Sequence, residues 1–114
     1  MKVVLVGAGP SNLFLALKCL EDGHEVELYE KTSGAGKKFL VAGKSGLNLT
    51  HGEDLETFSK KYFEQEEFFL SLLKDFSNSD LREWLDSLGV STFVGSSGRV
   101  FPDSFKAAEI LKNW

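Results

Sequence analysis

The chain has a single cysteine, no long apolar run and no excess of basic residues, and each scarcity excludes a class of protein. One thiol, Cys19, excludes an internal disulfide and a cysteine-based metal cluster. No apolar run reaches the roughly 18 residues of a membrane-spanning helix, so we expect no membrane partner. Lys and Arg number 13 against 17 Asp and Glu, and the net charge of −4 argues against a general nucleic-acid partner.

The first thirty residues hold the strongest pattern in the sequence. An apolar run at residues 2–6 leads directly into Gly7-Ala8-Gly9-Pro10-Ser11, and an apolar-periodic stretch follows as far as residue 20. Residues 26–30 read as a second strand that ends in an acid. A strand, a glycine-rich turn, a helix and a strand with a terminal acid are the pattern of a dinucleotide-binding βαβ unit.

Each position in this unit has a physical role toward a bound dinucleotide. Gly7 permits the tight turn out of the strand, and Gly9 has no side chain, so a pyrophosphate can approach the backbone. A helix that begins near Pro10 and Ser11 directs its free N–H groups and positive dipole end at that phosphate. Glu30 can accept a hydrogen bond from a ribose hydroxyl. We predict nucleotide binding here, and the alternative is a glycine-rich turn without a ligand.

One position departs from the G-x-G-x-x-G fingerprint of such units. Asn12 stands where the third glycine is usual. That glycine normally allows close packing of helix and strand, so we expect the first helix to lie slightly off the sheet. The first two glycines still lie between a strand and a helix, and an acid still ends the second strand. This context favours nucleotide binding in spite of the departure.

A segment rich in glycine and lysine follows at residues 31–52, and we predict a loop there. A loop of about twenty residues is uncommon in a compact domain unless it serves a ligand. Its lysines Lys37, Lys38 and Lys44 are therefore candidates for contact with a phosphate. The alternative is that they are ordinary solvated charges, and the spacing alone does not decide between the two.

The remaining sequence predicts helices and a hairpin. Apolar residues recur at helical spacing over residues 54–76, which indicates one or two amphipathic helices. Ser77 and Asp80 have the spacing of a capping box at the start of the next helix. Residues 90–101 predict a β-hairpin, and Ser104 is expected to cap a last helix. The predicted fold class is α/β, with a Rossmann-like βαβ unit followed by helices and a β-hairpin.

Five motifs occur in a fixed order along the chain. They are G-A-G-P at residues 7–10, E-K at 30–31, G-K-K-F-L at 36–40, V-A-G-K-S-G-L-N-L-T-H at 41–51 and S-G-R-V-F-P at 97–102. Together they resemble the N-terminus of a bacterial family of FAD-dependent oxidoreductases, the aminoacetone-oxidase-like NAD(P)/FAD-dependent flavoproteins. The resemblance extends over all 114 residues but over only the N-terminal portion of a typical member.

The resemblance implies that residues 1–114 are the incomplete N-terminal part of an FAD-binding domain in a two-dinucleotide-binding-domain flavoprotein. It implies FAD as the cofactor, with NAD(P)H as a candidate electron donor of the complete enzyme. Carried over position by position, it adds residues of the glycine- and lysine-rich segment to the site. The full set of predicted cofactor-binding residues is Gly7, Ala8, Gly9, Pro10, Ser11, Glu30, Lys31, Lys38, Gly43, Asn48 and Thr50.

No residue is predicted to be catalytic or to bind a metal, because a bound flavin itself carries the hydride chemistry in such enzymes. We therefore predict an FAD-binding segment of a flavoprotein oxidoreductase. Two alternatives stay open: a truncated, non-catalytic remnant and a stand-alone NAD-binding module. Because Met1 leads directly into a strand, with no signal peptide, the cytoplasm is the expected compartment. Exposed apolar faces of the first two strands predict self-association of the isolated chain.

Overall fold

The computed structural model describes the backbone of residues 1–114 and every side chain except that of Ser45. The chain forms two compact units, Met1–Lys44 and Ser45–Trp114, which are described separately below. Each unit has a sheet of its own. Among the helices described, none combines the length and the apolar character that crossing a membrane requires.

The first unit is a parallel βαβ arrangement followed by a short helix. Its elements in chain order are β1 (Lys2–Val6), α1 (Pro10–Glu21), β2 (Glu25–Tyr29) and α2 (Lys37–Ala42). β1 and β2 pair in parallel, with Val4 opposite Glu27 and Val6 opposite Tyr29. The carboxyl ends of parallel strands meet at one edge of a sheet, so the segments that follow β1 and β2 come together there.

Local turn chemistry brings β2 back beside β1. Gly23 has a φ of +80°, a left-handed conformation that commonly ends a helix, and it follows α1. The Glu25 N–H then donates to the Met1 carbonyl at 3.1 Å, which starts the ladder between the strands. At the other end, the Gly7 N–H donates to the Tyr29 carbonyl at 2.7 Å. The ladder therefore extends one residue past β1, and the glycine-rich turn begins beside the end of β2.

The second unit packs helices with a small antiparallel sheet. Its elements are β3 (Thr50–His51), α3 (Leu55–Ser59), α4 (Glu66–Asp75), α5 (Asn78–Ser87), β4 (Thr92–Val94), β5 (Arg99–Pro102) and α6 (Ala107–Asn113), with a 3₁₀ helix, Lys60–Gln65, between α3 and α4. The strands lie in the order β3-β5-β4, and both pairs are antiparallel. Leu85, Val100 and Ile110 are almost fully buried and form the centre of this unit's core.

Several predictions about local structure are confirmed. The βαβ unit is present, and the predicted hairpin is β4 followed by β5. The predicted capping box is formed: the Ser77 N–H donates to an Asp80 carboxylate oxygen at 2.7 Å, and the Asp80 N–H donates to the Ser77 hydroxyl oxygen at 3.1 Å. Capping of this kind depends only on residues three apart, which is why the sequence pattern is reliable there.

Two predictions about local structure are wrong. Residues 31–52 are not one continuous loop, because they contain α2, a 3₁₀ turn (Gly43–Ser45) and β3. The run at residues 37–42 holds neither glycine nor proline, and a short helix forms between the glycines that flank it. The last helix begins at Ala107 and not directly after Ser104. Phe105 has a φ of +55°, so it cannot belong to a right-handed helix.

Candidate nucleotide-binding site

The turn between β1 and α1 contains two glycines that the fold uses differently. Gly7 has a φ of +92°, which side chains rarely adopt, so the turn itself requires glycine there. Gly9 has a φ of −81° and a ψ of 172°, which any residue adopts. A Cβ atom built on Gly9 would meet no other atom within 4 Å. The polypeptide therefore does not require glycine at position 9, and the space beside its backbone is available to a ligand.

The N-terminus of α1 offers unpaired N–H groups beside this space. Gly9 is the N-cap residue, and no side chain caps the helix. The first intrahelical hydrogen bond runs from the Leu13 N–H to the Gly9 carbonyl at 3.0 Å. Pro10 has no N–H, so the N–H groups of Ser11 and Asn12 precede that first bond. No acidic side chain lies in the first turn, and an anion would meet both donors and the positive end of the helix dipole.

Glu30 lies directly after β2 and reaches back to the turn. One of its carboxylate oxygens, Oε2, accepts the Ala8 N–H at 2.7 Å, and the other, Oε1, accepts the Thr32 N–H at 2.8 Å. The hydrogen bond from Ala8, followed by that from Thr32, lowers the pKa of Glu30 below its ordinary value. The charged carboxylate is thus held at the turn. Each oxygen keeps a further lone pair that a hydroxyl group can use.

The segment after Glu30 also returns to the turn. The Gly36 N–H donates to the Ala8 carbonyl at 2.7 Å, and Gly36 is buried with a φ of +69°. Ala8 itself is 2% exposed, and both its N–H and its carbonyl are bonded within the protein. Sequence reasoning missed Gly36 as part of the site. Its signal in the sequence is a glycine at the N-cap position, directly before a six-residue run without glycine or proline.

The predicted site residues divide between the two units. The first unit brings residues 7–11 together with Glu30. Lys38 lies exposed on α2, and Gly43 follows the end of that helix. Asn48 and Thr50 belong to the second unit, where Thr50 pairs with Val100 in the sheet. Contact of these residues with a cofactor stays a prediction.

The chemistry available at the turn is binding chemistry. Backbone N–H groups can donate to an anion, and one fixed carboxylate can accept from hydroxyl groups. Within the part of the chain whose side chains are described, no group of three or more His, Cys, Asp and Glu residues could hold a metal ion. The N–H donors and the carboxylate match the two polar parts of half a dinucleotide, the pyrophosphate and the ribose.

The chain is similar to known proteins over its whole length. The family model of the HI0933-like protein Rossmann domain matches residues 1–114. A curated relative, the ribosomal RNA dihydrouridine synthase of Haemophilus influenzae, is 26% identical over 113 residues. That alignment covers 96% of this chain and 27% of the relative, so the chain spans about a quarter of the relative's length.

Proposed function

Since this chain belongs to the HI0933-like Rossmann domain family, we propose that residues 1–114 form the FAD-binding N-terminal segment of a flavoprotein oxidoreductase. The observation that carries the proposal is the open backbone at Gly9. A glycine that the fold itself does not require, at the start of an uncapped helix, is what a pyrophosphate site needs. In this proposal the segment is an incomplete part of its domain, in line with the 27% of the relative that it spans.

The proposal gives each part of the turn a role. The N–H groups of Ser11 and Asn12 donate to the pyrophosphate, which approaches over Gly9. A ribose hydroxyl donates to Glu30, whose charge opposes a 2′-phosphate and so disfavours NADP in this site. The further cofactor contacts in the proposal are those of Gly7, Ala8, Pro10, Lys31, Lys38, Gly43, Asn48 and Thr50.

In the complete protein the flavin would supply the hydride chemistry, and NAD(P)H is the proposed electron donor. The residues of this segment bind and orient the cofactor. For the substrate of the complete protein, the name of the relative supports a second, more specific proposal: formation of dihydrouridine in ribosomal RNA. The net charge of −4 on this segment implies that an RNA would be bound mainly by other parts of such a protein.

The test is a titration with FAD, followed by the fluorescence of the flavin, of this chain and of the complete protein. Gly9→Val should weaken FAD binding at least tenfold, or roughly 1.4 kcal/mol, because its side chain fills the space beside the backbone. Gly34→Val is the matched control, since a Cβ atom at Gly34 also meets nothing within 4 Å. Equal FAD affinity of Gly9→Val and the parent would overturn the proposal.

The same titration separates the alternatives. Tight binding of NAD with no binding of FAD would favour a stand-alone NAD-binding module. A chain and complete protein that bind neither nucleotide would favour a non-catalytic remnant. Either result would contradict the proposed function, whereas a yellow complete protein that loses its flavin through Gly9→Val would support it.

A further inference from the structure

The side chain of Asn12, which stands where the dinucleotide fingerprint has its third glycine, bonds to the backbone of the turn. Its Nδ2 atom donates to the Val6 carbonyl and to the Gly7 carbonyl, each at 2.8 Å. Both partners are acceptors only, so the NH₂ end of the amide must face them, and its two protons serve one carbonyl each. The replacement of glycine therefore adds a specific polar contact to the turn.

The Val6 carbonyl lies at the edge of β1 that faces away from β2. The Gly7 N–H points toward β2, where it donates to Tyr29. Successive residues of a strand direct their polar groups to opposite edges, so the Val6 carbonyl points away from β2. Among the described strands, β1 has β2 as its one neighbour. Asn12 thus satisfies a carbonyl at the open edge of β1 and ends the strand there.

The second carbonyl belongs to a peptide group that is held from both ends. The Gly7 carbonyl and the Ala8 N–H are parts of one planar peptide unit. Asn12 donates to its oxygen at 2.8 Å, and Glu30 accepts from its N–H at 2.7 Å. One side chain comes from α1 and the other from the end of β2. We call this arrangement, Asn12 and Glu30 on the Gly7–Ala8 peptide, the peptide clamp.

We propose that Asn12 is a positioning residue for the nucleotide. By holding the Gly7–Ala8 peptide, it sets the path of the chain into Gly9 and the direction of the α1 N-terminus before a ligand arrives. Gly7 has no side chain, so its backbone is otherwise free to adopt many conformations. Because Asn12 fixes this backbone before the nucleotide binds, less conformational entropy is lost on binding. This inference rests on the proposed function, because it concerns the same phosphate-binding turn.

The test compares Asn12→Asp and Asn12→Gly with the parent chain. Asn12→Asp keeps the shape and removes both donors but adds a negative charge, whereas Asn12→Gly removes the amide without adding charge and restores the fingerprint. Two properties are measured: the exchange rate of the Ala8 amide proton without nucleotide, by NMR, and the dissociation constant for FAD. Both variants should speed Ala8 exchange and weaken FAD binding roughly tenfold, because the freed Gly7–Ala8 peptide must then be ordered when the nucleotide binds.

A matched control comes from the second unit. Asn113 also donates through Nδ2 to a backbone carbonyl, that of Leu88 at 3.0 Å, so Asn113→Asp makes the same chemical change away from the turn. It should alter neither Ala8 exchange nor FAD affinity. Asn12→Gln keeps the amide on a longer side chain, and it should bind FAD more weakly than the parent because the amide is displaced from both carbonyls.

The outcomes distinguish this inference from the proposed function. If Gly9→Val weakens FAD binding while both Asn12 variants bind FAD as the parent does and leave Ala8 exchange unchanged, the turn binds FAD and the positioning role is wrong. If Gly9→Val also has no effect, the proposed function has failed, and the positioning role fails with it. Faster Ala8 exchange with weaker FAD binding in both Asn12 variants supports the role.

Discussion

The two units of the chain differ in how fully they bury their apolar side chains. The second unit buries apolar side chains, with Leu85, Val100 and Ile110 each at most 1% exposed. In the first unit, α1 has no buried residue, and Val6 at the end of β1 is 81% exposed. Burial of apolar area is the dominant favourable term in folding. The second unit therefore has the stronger apolar core of its own.

In the first unit, two polar side chains form hydrogen bonds with the backbone of the glycine-rich turn. Asn12 and Glu30 hold the peptide groups of the glycine-rich turn, and Gly36 bonds to the same turn through its backbone. Such bonds add little net stability each, but they fix geometry. A unit with few buried apolar side chains can thus still have a turn whose geometry is fixed by specific hydrogen bonds. A ligand that binds the folded form would add to the stability of this unit.

The largest expected effect tests the core of the second unit. Leu85→Ala should lower the free energy of unfolding by about 2–5 kcal/mol, because it leaves a cavity at a side chain that is 1% exposed. Urea denaturation followed by circular dichroism measures the change. Leu72→Ala is the control, since Leu72 is 47% exposed and should cost under about 1 kcal/mol. Equal losses in the two variants would contradict the description of this core.

The next largest effect is a difference in stability between variants of the two glycines of the turn. Gly7→Ala should destabilise the first unit by about 1–2 kcal/mol, because a side chain is strained at a φ of +92°. Gly9→Ala should cost less, under about 1 kcal/mol, since its Cβ atom meets nothing within 4 Å and only the preference of the N-cap for glycine over alanine is lost. Gly9→Ala should instead weaken FAD binding. The reverse order of the two stabilities would show that the turn is not held as described.

A smaller effect is the pH dependence of stability that one carboxylate in each unit produces. Hydrogen bonds from Ala8 and Thr32 lower the pKa of Glu30, and those from Ser77 lower the pKa of Asp80. Each bonded carboxylate therefore stabilises the fold above its ordinary pKa, 4.5 for Glu and 3.8 for Asp, and this stabilisation is lost as the pH falls through the lowered value. Glu30→Gln and Asp80→Asn should each be less stable than the parent at pH 7.

Measuring the stability of parent and variant at several pH values tests each of these two predictions separately. The stability difference between parent and variant should shrink once the pH is below the lowered pKa of the carboxyl group that was replaced, in urea denaturation from pH 7 to strongly acidic pH. Glu30→Gln alone should also weaken FAD binding, because Asp80 caps a helix of the second unit. A loss of FAD affinity in Asp80→Asn would contradict the prediction that only the carboxylate of the first unit affects FAD binding.

The smallest effect concerns the exposed end of β1. Val6→Thr should change the unfolding free energy by no more than about 0.5 kcal/mol, since the side chain is 81% exposed. It should reduce self-association of the isolated chain, which we predict from the exposed apolar faces of the first strands. Sedimentation velocity at several concentrations measures this. A strong loss of stability would mean that Val6 contributes to a core after all.

The parts of the fold that the sequence predicts are those governed by local rules. The βαβ unit follows from apolar runs around a glycine-rich turn, and the capping box follows from Ser77 and Asp80 three residues apart. The sequence does not predict α2, because the high glycine content of residues 31–52 is typical of a loop and α2 is only six residues long. β3 was missed because two residues, Thr50 and His51, become a strand only by pairing with β5.

For the candidate site, the sequence by itself determined which residue types stand at the turn: Gly7 where φ is positive, Gly9 where an added Cβ atom would meet nothing within 4 Å, and Glu30 after the second strand. Only the tertiary structure decided that Glu30 bonds to Ala8, 22 residues away, and that Asn12 holds the other end of the same peptide. Turn and cap preferences depend on neighbours in the chain, so a pattern can reveal them. A hydrogen bond between distant residues depends on where folding brings two segments together, and single-sequence spacing carries no measure of that distance.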